Sequence, residues 1–453
     1  MTNSTLDMAM SNAFNPATGT VGLPQRTQDL IARRAEALGP AYRLFYEAPL
    51  EVVRGESVWL YDADGERYLD VYNNVASMGH CHPHVVQAVA RQLGALNTHT
   101  RYLNETVIAY AERLLGTFGD VPRHLMMTCT GSEANDLALR IAQTHTGATG
   151  IVVTRLAYHG LTNAIAAVSP SLGPSGPQGA HVRLVDAPTA DAGAETGVRF
   201  AAGVAAAIAD LQRSGYGVAA MFCDTIFSSD GVFADPPGFL SEAVRKVQAA
   251  GGLFVADEVQ PGFGRTGTHM WGYQRHGITP DIVSMGKPMG NGYPVAGIAV
   301  RQDMVRKFGQ RARYFNTFGG SQAACAAGSA VLDVIAREGL LENANTTGAY
   351  LQAGIAKLAS EFSVLRQIRG AGLFIGVDVD AGMQSLEADG ALAAHIVNSL
   401  RQRKVLISAS GPAGRVLKIR PPMVFRQEHA DIFLDALHDA MTSLRLARDP
   451  WSP

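Results

Sequence analysis

Between Leu125 and Val300, short apolar runs that end on glycine or polar residues alternate with stretches whose apolar residues recur at helical spacing. That alternation predicts a largely parallel sheet wound with helices on both faces. Two runs are distinguished by their ends. Leu253-Phe254-Val255-Ala256 stops at Asp257-Glu258, and Asp281-Ile282-Val283-Ser284-Met285-Gly286 stops at Lys287. Such sheets place ligands outside the carboxyl ends of their strands, so an acid and a lysine are delivered to one place. Taken singly, the acid reads equally as a helix cap or ion-pair partner, and Lys287 as a solvated surface lysine.

Three further segments narrow the chemistry. Thr128-Cys129-Thr130-Gly131-Ser132-Glu133-Ala134-Asn135 follows the apolar run Leu125 to Met127 and opens a helical pattern. Gly131 permits close backbone approach to an anion while Ser132 and the helix N-terminal amides donate to it, a phosphate cup; an ordinary N-cap competes. Tyr158-His159-Gly160 follows Ile151 to Val153 and offers Tyr158 to stack on a flat ring, against the alternative of a core tyrosine. Phe315-Asn316-Thr317-Phe318-Gly319-Gly320-Ser321 is a polar turn suited to a second phosphate contact or to a helix cap. An acid that keeps a pyridine nitrogen protonated, a lysine able to form a Schiff base and shuttle a proton, and a phosphate cup together point to pyridoxal phosphate. Gln260, close after Asp257, could donate to the phenolic oxygen of such a ring or be merely solvated.

The order of these pieces resembles the class III, or omega, aminotransferases, pyridoxal phosphate enzymes of fold type I. The resemblance rests on Gly131 to Asn135, Tyr158-His159-Gly160, Asp257-Glu258-Val259-Gln260 with Gly262 to Gly267, Pro280-Asp281 to Gly286-Lys287, and Asn316 to Gly320, and runs from about Leu50 to Ala440. It implies an α/β fold: a large domain with a mostly parallel sheet between helices (76–322), and a smaller α+β domain formed by 323–453 with help from 1–75. It also implies that Lys287 carries the cofactor and acts as base and that Asp257 meets the pyridine nitrogen. Gly131 and Ser132 would bind the phosphate, Tyr158 stack on the ring and Gln260 touch its phenolic oxygen. Thr317 would reach the cofactor phosphate of a neighbouring subunit, so the expected assembly is a homodimer with shared sites, or a tetramer of such dimers.

Two departures stand out. Where amino-acid-using members have an arginine near a Pro-Pro pair and a switching glutamate, this chain has Lys418 in Leu417-Lys418-Ile419-Arg420-Pro421-Pro422 and Ser229 in Asp224 to Gly231. Lysine is a point donor rather than a fork for a carboxylate. With Asn73-Asn74-Val75-Ala76, Asn97 to Leu103 and the segment Leu406 to Met423, these departures resemble the phospho-lyase branch acting on phosphoethanolamine or phosphohydroxylysine. That branch implies elimination of phosphate and ammonia from a small phosphorylated amine, giving acetaldehyde from O-phosphoethanolamine. Such a site needs donors for a second phosphate. Arg101 is favoured, with an interface ion pair as its alternative, followed by Asn73, Asn74, Lys418 and Arg420. The competing readings are an amine-to-keto-acid aminotransferase and a non-catalytic binder; intact Lys287, Asp257 and cup argue against the latter.

Composition sets limits. At 453 residues, 47% hydrophobic and 17% charged with a formal net charge of -2, the chain has core for a large and a smaller domain and no basic excess for nucleic acid or an anionic membrane. Cys81, Cys129, Cys223 and Cys325 are scattered, as expected of reduced thiols in a cytoplasmic protein. Met1 to Gly22 has no basic start or apolar core, and no secretory signal or membrane span is expected. Gly79-His80-Cys81-His82-Pro83-His84 lacks a second ligand group, so no metal is expected. Gly286 to Gly292 lacks P-loop spacing. Ser57 to Val71 predicts a hairpin about Asp62-Ala63-Asp64-Gly65, and Pro170 to Gly179 a mobile surface loop. Helices are expected at Ala323 to Arg337, Leu340 to Phe362, Ala391 to Arg403 and Gln427 to Arg445, with strands at Gly372 to Val379, Val405 to Ser408 and Leu417 to Ile419.

Overall fold

A computed structural model describes residues 12–448 apart from 18, 122 and 174–177. The loop expected over Pro170 to Gly179 therefore falls partly outside the described residues, as does most of Met1 to Gly22. The N-terminal meander consists of β1 (Val52–Glu56), β2 (Trp59–Asp62) and β3 (Arg67–Asp70), with the expected hairpin pairing Leu60 to Tyr68. The central sheet is built from β4 (Arg123–Thr128), β5 (Ile151–Thr154), β6 (Val182–Val185), β7 (Ala220–Asp224), β8 (Leu253–Asp257), β9 (Ile282–Met285) and β10 (Ala296–Arg301), in the order β4-β10-β9-β8-β7-β5-β6. β5, β6, β7, β8 and β9 run parallel, whereas β10 is antiparallel to both β9 and β4. The reason is connection length. Residues 286–295 hold only a single 3-10 turn, Lys287–Gly290, too short for the crossover a parallel return needs.

β7, β8 and β9 are buried along nearly their whole length, which is why they read as unbroken apolar runs. The helix Gly131–Thr146 presses Ala134, Leu137, Ala138, Ile141 and Ala142 against this sheet, with Leu137 and Ile141 contributing on the order of 2 kcal/mol each. Thr130 caps it: its hydroxyl accepts from the Glu133 amide while the Glu133 carboxylate accepts from the Thr130 amide.

Beyond the sheet come helices Gln322–Arg337 and Leu340–Glu361, then β11 (Leu365–Ala371), β12 (Phe374–Val379), the helix Leu386–Gln402, β13 (Val405–Leu406), β14 (Ser408–Ser410), β15 (Val416–Ile419) and the helix Gln427–Arg448. β11-β12-β15-β14 form an antiparallel sheet, and β13 joins β3 in parallel, so chain segments far apart in sequence share one small sheet. β11 carries no apolar run that the sequence shows as a strand. Arg366, Gln367 and Arg369 make it look polar, but it is an edge strand with a bulge, and Arg369 forms a largely buried 2.5 Å ion pair with Asp378 of β12. Among the described residues no helix is long and apolar enough to cross a membrane.

The helix Leu340–Glu361 crosses the turn before β12 at Gly348, where an added Cβ would overlap the Gly372 carbonyl. Helix propensity alone favours Gly348→Ala by about 1 kcal/mol. Overlap with fixed backbone should reverse that sign, giving a net loss of about 1–3 kcal/mol. A lower urea midpoint for the Gly348→Ala holoenzyme checks this; an unchanged or raised midpoint contradicts it.

Candidate active site

The carboxyl ends of β7, β8 and β9 lie side by side, with Asp224 in register with Asp257 and Asp257 in register with Ser284. Asp257 is 4% exposed. Its Oδ2 accepts from His159 Nδ1 at 2.7 Å and Asn135 Nδ2 at 2.9 Å, and its Oδ1 from the Val259 amide at 3.1 Å. This is the pattern of a carboxylate, and it fixes the proton of His159 on Nδ1. Oδ1 retains acceptor capacity for a ring N–H. Asn135 also donates to the His159 carbonyl at 2.8 Å, tying helix Gly131–Thr146 to the segment after β5. His159 and Asn135 stand within the sequence motifs, and nothing in their neighbours marks their role. Their signal was spacing to nothing nearby, since both act on a residue about a hundred positions away.

Lys287 begins the turn after β9 and makes no side-chain hydrogen bond or ion pair among the described residues. Burial of its amine lowers its pKa, the Arg420 charge lowers it further, and Asp257 and Asp224 oppose the shift. A lysine so placed has a larger fraction of nucleophilic amine than a solvated one.

At the start of helix Gly131–Thr146 the capping box uses the amides of Cys129, Thr130 and Glu133, while those of Gly131 and Ser132 carry no partner among the described residues. A Cβ at Gly131 would come within 3.0 Å of Val259, and one at Gly160 within 2.6 Å of Ser132 Oγ. Glycine thus keeps the cup open on one side and lets the strap after Tyr158 cross closely on the other. Tyr158 is half-buried beside it, its pKa raised by burial and by Asp257. An open anion cup, an amine without a partner and a carboxylate with spare acceptor capacity are what pyridoxal phosphate requires, so these residues fit it.

The end of β15 and the residues after it close the other side. Lys418 of β15 is 7% exposed, and its Nζ donates to the Ser228 carbonyl at 2.8 Å. Arg420 is 5% exposed; its Nε donates to the Tyr72 carbonyl at 3.1 Å and a terminal nitrogen donates to Gln260 Oε1. That contact commits the oxygen of Gln260 and leaves its amide nitrogen as the donor toward the cleft. Neither cation pairs with a carboxylate among the described residues. Burial lowers the pKa of Lys418 well below its ordinary value, with Arg420 and Lys287 adding to the effect and Asp224 and Asp230 opposing it. Asp224 is raised by burial, and Asp230 is pushed up to about 6.

Asn74 is buried and donates to the Gln260 carbonyl at 3.0 Å with its Oδ1 unpartnered, while Asn73 turns its side chain onto the Val75 amide. Asn316 donates to Glu133 Oε1 at 3.1 Å on the cup helix, and beside it stand Thr317 and, across Phe315, Arg101. The latter two are exposed, and the Arg101 guanidinium lies 3.9 Å from the centroid of Phe315, two residues before Thr317. The histidine cluster is divided among three carboxylates: His80 meets Asp70 at 2.6 Å, His82 meets Glu338 at 2.9 Å and His84 meets Asp333 at 2.9 Å.

Comparison with known proteins adds independent support. The profile of the family described as Aminotransferase class-III matches residues 45–441. A Drosophila melanogaster protein named alanine–glyoxylate aminotransferase 2-like is 36% identical over 437 residues, covering 93% of this chain and 88% of its own. A Caenorhabditis elegans protein named ethanolamine-phosphate phospho-lyase homolog 1 is 33% identical over 449 residues, covering 94% and 96%. A solved phospholyase from Arthrobacter in complex with phosphoethanolamine superposes with a TM-score of 0.88 at 44% identity, covering 92% of this chain and all of that one.

Lys287→Ala should abolish covalent capture of pyridoxal phosphate by borohydride. In the wild type, the pH at which capture reaches half its maximum should lie below that of a free lysine, because the lowered pKa exposes the amine at lower pH; a midpoint at the free-lysine value contradicts this. His159→Leu removes one charge-assisted hydrogen bond of about 1.5–3 kcal/mol from Asp257. Turnover should fall about 10- to 100-fold and cofactor affinity with it, whereas unchanged values of both would remove His159 from the site.

Proposed function

The chain belongs to the class III aminotransferase family of pyridoxal-phosphate-dependent enzymes, and on that premise we propose that it is a phospho-lyase. In this reading it eliminates phosphate from a small phosphorylated amine, O-phosphoethanolamine foremost, and one water then hydrolyses the remaining two-carbon fragment to acetaldehyde and ammonia. One observation carries the reading: Lys418 and Arg420 are buried cations whose partners are neutral oxygens. Buried charge without a counter-charge is costly, and a doubly charged phosphate answers two adjacent cations. The relative named a phospho-lyase homolog and the phosphoethanolamine-bound neighbour support this choice of substrate.

Pyridoxal phosphate supplies the electron sink for the carbon that bears the amine. Lys287 Nζ takes the proton from that carbon, its amine kept available by burial and by Arg420. Asp257 is held by His159 and Asn135 with acceptor capacity left on one oxygen, which would meet the ring nitrogen. Gly131 and Ser132 would hold the cofactor phosphate, Tyr158 would cover the ring, and Gln260, pinned by Arg420, would offer its amide to the phenolic oxygen. Lys418 and Arg420 hold the substrate phosphate on the adjacent carbon. Arg420 is poorly free to swing away, because it is bonded to Tyr72 and lies over the rings of Tyr72 and Phe374 at 4.9 and 5.3 Å. Thr317 and Arg101, which share one exposed surface, complete the neighbouring subunit's site in a homodimer. The four free cysteines fit a reducing, cytoplasmic setting.

An aminotransferase reading has its own support in the Drosophila relative's name, since the same cations could hold a carboxylate. Phosphate and acetaldehyde released one to one from phosphoethanolamine, with no keto acid present, is the expected result. Amino transfer to pyruvate with no phosphate release would establish the other reading. Arg420→Lys should raise the KM for phosphoethanolamine about 10-fold or more, because lysine cannot reproduce the fork that reaches Gln260 and a phosphate together.

A further inference from the structure

The proposed elimination sets a chemical demand that binding alone does not meet. When the carbon–oxygen bond of a phosphate monoester dianion breaks, the electron pair leaves on oxygen, and without a proton the product is the phosphate trianion, a base too strong to depart at neutral pH. An acid must therefore reach that oxygen.

The carboxylates nearby are engaged. Asp224 accepts from the Ser228 hydroxyl and from the amides of Ile226 and Ser228, and Asp230 accepts from Thr154 Oγ at 2.8 Å and the Leu156 amide at 3.1 Å. A guanidinium does not surrender a proton, which sets Arg420 aside. Lys418 differs. Its ammonium spends one N–H on the Ser228 carbonyl and has two without partners among the described residues. The strand β15 fixes it in register with Gly376 and Ser408, and Phe374 lies beneath it at 5.5 Å. The charged groups around it are Arg420 on its own segment, Lys287 from the turn after β9, and Asp224 and Asp230 from the end of β7 and the loop beyond.

We propose that Lys418 is a catalytic acid, giving a proton from Nζ to the oxygen of the departing phosphate. The balance is complete. Lys287 accepts the proton from the amine-bearing carbon, the pair left on that carbon becomes a carbon–carbon double bond, and the bond between the neighbouring carbon and the phosphate oxygen breaks with its electron pair on oxygen. Nζ of Lys418 protonates that oxygen, hydrogen phosphate leaves, and Lys418 remains as the amine until solvent restores its proton. Burial and the Arg420 charge favour the amine form, and the dianionic phosphate offsets them as it binds, so Nζ carries its proton against the substrate and gives it up more easily than a solvated lysine. The inference rests on the phospho-lyase reading and deepens it. It also accounts for lysine at a place where an arginine would bind phosphate better but could not give up a proton.

The test compares two esters, phosphoethanolamine and ethanolamine O-sulfate. Sulfate is a weak base and leaves without a proton. In the holoenzyme, Lys418→Met should lose about 100-fold or more of kcat on the phosphate ester and clearly less, about 10-fold at most, on the sulfate ester. Lys418→Arg, which keeps the charge and is the safer variant for folding, should show the same selective loss, and the alkaline limb of the wild-type pH profile on the phosphate ester should vanish in it. Retention of the cofactor absorbance band in each variant verifies the site. Equal losses on both esters, or rescue of the phosphate reaction by arginine, would make Lys418 a binding residue only and return the proton to Lys287. If the wild type releases no phosphate from phosphoethanolamine, it is the phospho-lyase reading that fails, a result distinct from either of these.

Discussion

The cleft depends on keeping a carboxylate in place where water does not reach it. Removing one ionised carboxyl from water costs several kcal/mol, and Asp257 is almost fully buried. Three donors offset that cost, and each comes from a different piece of chain: Asn135 from the helix after β4, His159 from the segment after β5, and Val259 from the turn after β8 itself. The same contacts therefore hold together the anion cup, the ring cover and the strand end. Moving any one piece leaves a buried acceptor short of a donor, at about 1–3 kcal/mol.

On the opposite wall the charge balance is inverted. Lys418 and Arg420 are buried on neutral carbonyl and amide oxygens, and Arg265, fully buried nearby, bonds to the carbonyls of Leu373 and Pro421 and to Ser77 Oγ. Repulsion from Arg420 and burial together push the pKa of Arg265 down to about 9, burial being the larger cause. A protein that accumulates buried cations not paired with carboxylates is less stable than one that pairs them. The excess is understandable as a site prepared for an anion that arrives with the substrate, with binding supplying the missing counter-charge.

Much of the fold was legible because its signals are local. β8 and β9 announce themselves as unbroken apolar runs since both faces are covered, and the helix after β4 carries its own capping box. The antiparallel β10 was hidden because direction depends on how few residues join it to β9, not on its composition. β11 was hidden by arginines that an edge strand tolerates and that one ion pair buries. Asp257, Lys287 and the cup residues could be picked out by their places at strand ends and helix starts. The roles of His159, Asn135 and Ser228 could not, because each acts on a partner brought near by the sheet rather than by the sequence.

The same distinction separates the candidate substrate residues. Arg101 drew attention in the sequence as a guanidinium in an unexpected place, yet in the protomer it is exposed over Phe315. Lys418 and Arg420 read as alternate positions of a strand, and alternation puts both on one face of β15 and its extension. Being two apart, they reach the cleft together: Arg420 anchored through Gln260 and Tyr72, Lys418 through Ser228 beside Asp224. The division of labour follows from their chemistry. A rigid, permanently charged fork suits holding a phosphate, and an amine with a depressed pKa suits giving up a proton, so replacing either by the other would keep the charge of the site and lose its function.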